Sequence, residues 1–364
     1  MKRRLPDRSI GISAIAVAIL GMFGAVVFFG RSFGLVTVSR DGLAMDTVIR
    51  ITASARTSRD ELEKTLSRAF RLIEALDETF SLYDEQSRLS SVNANAGVRP
   101  VSVDTALFSA VGSAIEIAKS TNGAFDPTIG PLTTLWNIRD RGDKRLPSPE
   151  EIASALGTVG IRRIRMKHPD ELFLTDRDAK IDLGGIAKGY ASREVAKLLK
   201  SEGVVSALLD LGGNIMLLGP TPDGEPWRIG IQHPFKPRGT PLCAVVSSDT
   251  AVITAGTYER FATKGDRTFI HIFDPKTGYP VEGDLLSVTV ITEDPVAGDA
   301  LSTAFMVMGI DRTLAFLEKR HGVEAVFVSR AGDAKLDVLA TGGLRGFLHS
   351  MEEGVEISFT EATR

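Results

Sequence analysis

Apolar residues recur at helical spacing after Ser58: Leu62, Leu66, Phe70, Ile73, Leu76 and Phe80 share one face, the core side of an amphipathic helix of some five turns. Ser58 and Glu61 have the capping-box spacing that starts it. Asp104 predicts a second start, with Phe108, Val111, Ile115 and Ala118 on one face and Gly123 beyond the end. Ser148-Pro149-Glu150-Glu151 opens a short third helix, and Ala191–Ser201 reads as a fourth. Ahead of these, Leu35–Thr52 reads as strands around an Asp41-Gly42 turn, and the polar stretch Tyr83–Gly97 as a loop. Past Val204 the pattern changes to short strands: Val204–Leu209, Asn214–Leu218, Trp227–Gln232, Cys243–Ser247, Phe269–Phe273, Leu286–Thr292 and Ala325–Ser329. Helices near Gly298–Met308 and Asp311–His321 interrupt them. The alternation lacks a regular βαβ rhythm, which predicts an α+β fold with a largely antiparallel sheet and packed helices. No linker divides residues 35–350, so they read as one domain with two lobes, with 351–364 as a C-terminal tail.

One apolar run stands apart. Residues Ile10 to Gly30 carry no charged side chain, and as a helix they would span roughly 30 Å, one hydrocarbon core. Lys2, Arg3, Arg4 and Arg8 lie in the basic segment 1–9 before it, and Arg31 follows. The positive-inside rule keeps that segment cytoplasmic and sends the rest outward. An uncleaved signal-anchor is the favoured reading over a cleaved signal peptide, whose apolar region usually covers about 7–15 residues. The net charge of −3 offers no basic face for nucleic acid. The single cysteine, Cys243, excludes an internal disulfide and a Cys-rich zinc site.

Candidate chemistry concentrates in Asp182-Leu-Gly-Gly-Ile-Ala-Lys-Gly-Tyr190. Its glycines let backbone approach a ligand, Lys188 offers charge to a phosphate, and a helix start follows. No Gly-x-Gly and no Walker pattern occurs, so a nucleotide would be held another way. Asp299 and Thr303 lie four apart on a nearly all-apolar helix. There a hard cation such as Mg²⁺ would satisfy both oxygens. The alternative is that Asp299 caps the helix and Thr303 bonds back to a carbonyl. His271 precedes the polar turn Asp274-Pro-Lys-Thr-Gly278, where Asp274 reads as a turn former and His271 as a pocket or core histidine. Gly123-Ala-Phe-Asp-Pro-Thr128 and Thr254-Ala-Gly-Thr-Tyr-Glu259 read more readily as routine turns than as site segments, and Tyr83 could stack on a flat ring or pack under its loop.

Taken together the motifs resemble the ApbE family, the FAD:protein FMN transferases. They run in order: Met45-Asp-Thr47; Phe80-Ser-Leu-Tyr83 with Ser87-Arg-Leu-Ser90 and Asn93; Gly123–Thr128; Asp182–Tyr190; Asp210-Leu-Gly-Gly-Asn-Ile215; His271–Gly278; and Ala297-Gly-Asp-Ala-Leu-Ser-Thr303. Each is weak alone; seven in this order, over about residues 43–345, are specific. The resemblance implies an ApbE-like, T-fold-related domain in the periplasm, tethered to the bacterial inner membrane. It implies Mg²⁺-dependent cleavage of the FAD pyrophosphate, with FMN passed to a Thr or Ser hydroxyl of a target protein and AMP released. The implied acceptor is a flavin-bearing subunit of a membrane redox complex, Na⁺-pumping NADH:quinone reductase or Rnf type. Met45, Tyr83, Ala124, Phe125, Asp126, Asp182, Lys188, His271 and Ile272 would line the FAD pocket, and Asp299, Thr303 and the Gly185 carbonyl would hold the metal. His271 is the expected base, with Asp182 as rival and Lys188 helping to neutralise phosphate charge. Two departures stand out: Asp46 where glycine is usual, and Ala255 where serine is common. Two further readings remain: a metal-dependent FAD pyrophosphohydrolase giving FMN and AMP, and a non-catalytic flavin-binding protein.

Overall fold

The structure, a computed structural model, describes residues 34–139, 145–259, 261–264, 267–332 and 335–361. The expected membrane anchor, residues 10–30, lies outside them.

Nine strands form the central sheet, in the order they occur along the chain: β1 (Val36–Ala44), β2 (Thr47–Ala55), β3 (Val204–Leu211), β4 (Asn214–Leu218), β5 (Ala251–Gly256), β6 (Leu285–Thr292), β7 (Val323–Arg330), β8 (Leu336–Ala340) and β9 (Ile357–Phe359). Neighbours are antiparallel except β8 and β9, which are parallel. Among the described residues, the helices and smaller sheets are inserted between successive strands. Residues between β2 and β3 supply α1 (Arg59–Phe80), α2 (Arg88–Ala94), α3 (Thr105–Ser120), α4 (Gly130–Trp136), α5 (Pro149–Leu156) and α6 (Ala187–Ser201); α7 (Pro295–Leu317) joins β6 to β7. The antiparallel α+β expectation is met. Within the stretch read as a tail, residues 357–359 supply the ninth strand.

Both faces of the sheet are covered, and strand period two assigns the side chains. On β7, Ala325 and Phe327 join the large core beneath the helices, while Val326 and Val328 face a second core. That second core is closed by a small sheet of Trp227–Gln232, Pro241–Ser247 and Leu348–Ser350. Burial on two faces explains why β7 reads as a continuous apolar run rather than an alternation. The pattern also hid β5, a central strand that the sequence reading did not identify.

The Asp41-Gly42 turn is corrected. Asp41 pairs with Arg50 and Gly42 with Ile49 inside the ladder; the chain reverses at Met45-Asp46. A side-chain carbon built on Gly42 would lie 2.4 Å from the Phe70 ring, so its glycine admits α1 rather than making a turn. The polar stretch after Tyr83 is also corrected. Ser87 accepts a hydrogen bond from the Ser90 amide and starts α2, which buries Leu89 and Val92. Only two core-facing residues in seven explain why periodicity missed it.

Helix α7 starts earlier than read, at Pro295, with Asp294 accepting from the Val296 amide as its cap. Gly309, at φ 72°, breaks it where two helices were expected. By length and hydropathy this helix could cross a membrane, but half of its apolar window is buried inside the fold, with Phe305 wholly enclosed.

Cys243 sits in the second core with no exposure, and burial pushes its thiol up to about 12. A thiol reagent at about pH 8 attacks the thiolate. Native protein should therefore show no titratable thiol, and denatured protein one per chain; fast native modification would contradict this packing.

Candidate functional site

The segment before α6 is threaded between two others. The Asn93 side-chain oxygen accepts from the Ile181 amide at 2.8 Å and its amide donates to the Ile181 carbonyl at 2.9 Å. The Asp182 amide then donates to the Pro127 carbonyl at 2.7 Å, tying this segment to the Gly123–Thr128 turn. Both Asp182 carboxylate oxygens accept bonds, one from the Gly184 amide and one from the Thr133 hydroxyl of α4, each 2.8 Å. Asp182 thus shapes the loop, which favours a positioning role over that of base.

Helix α6 begins at Ala187, four residues before the expected start, so Lys188 and Gly189 lie in its first turn. No side chain of its own caps it. Asp299 does so from across the fold: its carboxylate accepts from the Gly189 amide at 2.8 Å. The expectation that Asp299 might cap α7 is replaced by this contact. A helix N-terminus favours an anion, and Asp299 is 4 % exposed, where an unpaired charge would cost several kcal/mol. The approach requires glycine. A side-chain carbon on Gly189 would stand 2.1 Å from the Pro295 carbonyl oxygen and 2.8 Å from the Asp299 Cβ.

One turn along α7, the Thr303 hydroxyl lies 3.3 Å from a carbon built on Gly185, and the Phe125 ring lies 3.1 Å from that same point. The structure therefore gathers Gly185, Asp299, Thr303 and Phe125 at the junction of the loop with α6 and α7. The donors are all oxygen, which fits a hard cation. No group of three His, Cys, Asp or Glu side chains occurs among the described residues.

The remaining expected residues divide. Met45, Ala124 and Ile272 are buried in the large core. The Asp126 carboxylate turns into the fold, accepting from the Thr128 amide and hydroxyl; burial pushes its pKa up against those bonds. Lys188 is partly exposed, with no ion pair of its ammonium among the described residues. His271 lies in a bend, because the strand expected over Phe269–Phe273 ends at Ile270. Its turn is structural: Asp274 accepts from the Lys276 amide, and the Gly278 carbonyl accepts from the Trp136 indole at 2.9 Å. Tyr83 is 52 % exposed.

Three residues escaped the sequence reading. Thr133 and Trp136 of α4 tie down Asp182 and the His271 turn. Asp77 accepts from the Met45 amide at 2.7 Å. Their partners lie far along the chain, and nothing in their local sequence signals the contacts.

The pattern of the ApbE family matches residues 45–327. A curated relative from Treponema pallidum, an FAD:protein FMN transferase, is 32 % identical over 305 residues, covering 80 % of this chain and 84 % of its own. The ApbE protein of Thermotoga maritima superposes with a TM-score of 0.78 at 30 % identity, covering 86 % of this chain and 99 % of that one. The flavin transferase ApbE of Vibrio cholerae gives 0.75 at 29 % identity, with the same coverage.

Two outcomes test the site's construction. Gly189→Ala should destabilise the fold by about 1–3 kcal/mol through overpacking, read as a lower urea midpoint; an unchanged midpoint would contradict the close approach. Asp126, with its pKa raised on folding, holds a proton longer folded than unfolded. Its contribution to stability therefore falls as pH rises above the ordinary carboxylate range. The stability difference between wild type and Asp126→Asn should shrink from about pH 4 to 7; parallel curves would contradict it.

Proposed function

The chain belongs to the ApbE family, and from that premise we propose that it is an FAD:protein FMN transferase whose reaction is run at the junction of the Asp182 loop, α6 and α7. The observation that carries the reading is the convergence of Asp299, Thr303 and Gly185 beside a helix start with Lys188 in its first turn. FAD carries a diphosphate between its flavin and adenosine halves. An acceptor Thr or Ser oxygen would attack the FMN-side phosphorus, forming one P–O bond while the anhydride P–O bond breaks and AMP leaves.

Asp299, Thr303 and the Gly185 carbonyl would hold Mg²⁺, which when bound supplies a Lewis acid to phosphate oxygens. Lys188 would add a positive charge near the same diphosphate, and the exposed side of Tyr83 would receive a flat ring. His271 would take the proton from the acceptor hydroxyl. Phe125 and the buried Ala124 would keep water from the phosphate side. The acceptor is proposed to be a flavin-bearing subunit of a membrane redox complex, with the catalytic domain held on the periplasmic side of the inner membrane by residues 10–30.

Incubation of the protein with FAD, Mg²⁺ and an acceptor domain should give a flavin-fluorescent acceptor band and AMP. Asp299→Ala should lower transfer by at least about a hundredfold and remove its dependence on divalent ion. Normal transfer by that variant would exclude the metal site. AMP and free FMN without a labelled acceptor would support the hydrolase reading, and intact bound FAD the binding protein.

A further inference from the structure

The turn between β1 and β2 is made by two residues with positive φ, Met45 at 51° and Asp46 at 58°. A two-residue reversal of this form favours Asn-Gly or Asp-Gly, and a methionine there is strained. The Met45 amide is pinned by the Asp77 carboxylate at 2.7 Å. Strain of this kind persists where the surroundings over-determine it, and it points to a function for the side chains presented. The Asp46 side chain reaches the Arg139 guanidinium at 2.5 Å. That guanidinium lies over the Tyr83 ring, 4.5 Å from its centre. Arg139 follows α4 closely, the same helix that holds Asp182 through Thr133. A carboxylate, a guanidinium and an aromatic ring from three separate segments thus form one stack.

Asp46 and Arg139 are 42 % and 49 % exposed as side chains, so their ion pair adds little to folding. Its effect is geometric: it fixes where the guanidinium plane sits. A planar guanidinium stacks on a ring where an ammonium acts as a point charge. With Arg139 in place Tyr83 keeps 52 % exposure.

We infer that Arg139 is a positioning residue: held by Asp46, it braces the Tyr83 ring in the orientation that stacks on a flat heteroaromatic ring of the substrate. The inference rests on the flavin reading of the site and deepens it. It also assigns a role to the aspartate that stands where glycine is usual. The carboxylate faces a guanidinium, so its charge is matched before any phosphate approaches.

The test uses the full-length chain and FAD in EDTA, so that no turnover occurs, and follows flavin fluorescence. Stacking on a tyrosine quenches that emission. Wild type should bind with a quench, and Tyr83→Leu should lose the quench. Arg139→Ala should weaken binding about two- to fivefold, the equivalent of an exposed cation–π contact, with a smaller quench. Arg139→Lys should recover part of each. Asp46→Gly should relieve the turn and leave the melting temperature equal or higher, yet weaken FAD binding as Arg139→Ala does. The Asp46→Gly/Arg139→Ala double variant should lose no more than either single one, because the two act as a unit. Wild-type affinity and quench in Arg139→Ala, or additive losses in the double variant, would overturn the brace while leaving the flavin reading intact. Absence of FAD binding by the wild type both in EDTA and with Mg²⁺ added would sink both.

Discussion

The site depends on a single buried contact, the Asp299 carboxylate accepting from the Gly189 amide. It does two things at once. It gives a hydrogen-bond partner to a polar side chain that has almost no access to water, and it stitches the start of α6 to the first turns of α7. Because glycine has no side chain, the helices meet closely enough for Gly185 and Thr303 to face each other one turn further on. A carboxylate held this way has one oxygen committed to the helix, and the proposed cation would take the other. Fold and proposed chemistry therefore share one atom group.

Helix α4 performs the complementary task on the other side. It is short, seven residues, yet Thr133 holds Asp182 and Trp136 holds the carbonyl of Gly278. The first bond sets the glycine loop and the second sets the turn that follows His271. The aromatic packing of Trp136 against Phe269 and Phe273 gives α4 its anchorage. The segments that would contact phosphate and acceptor are thus indexed to one rigid element, as a site tolerant of little misplacement needs.

Much of this was legible in the sequence, and the reasons are local. The period of α1 and the caps of α1, α3 and α5 were visible because neighbouring residues create them. Asp299 and Thr303 could be paired because four residues is one turn. The failures share a different cause. Asp41-Gly42 carried the turn signal, but the room needed by Phe70 decided where glycine went. Strand β5 is buried on both faces, so it lost its alternation. Thr133, Asp77 and Arg139 act on partners brought near by folding alone, and no spacing rule reaches them. Asp46 was visible as a departure, but its meaning depended on Arg139, 93 residues away.

The donor set itself constrains how the proposed enzyme would work. Mg²⁺ prefers six oxygen ligands in octahedral array and is usually held by one or two carboxylates plus substrate phosphates. Here the protein would offer one buried carboxylate, one hydroxyl and backbone, and no group of three His, Cys, Asp or Glu side chains occurs among the described residues. Such a set is too poor to bind the ion tightly alone, and the substrate's phosphate oxygens would complete it. Affinity for ion and for FAD would then be linked, each raising the other by the same factor. A second carboxylate would tighten the empty site but place negative charge against the diphosphate. A single buried aspartate, hydrogen-bonded from behind by a helix start, would avoid that conflict and leave more of a bound ion's charge for the substrate's phosphates.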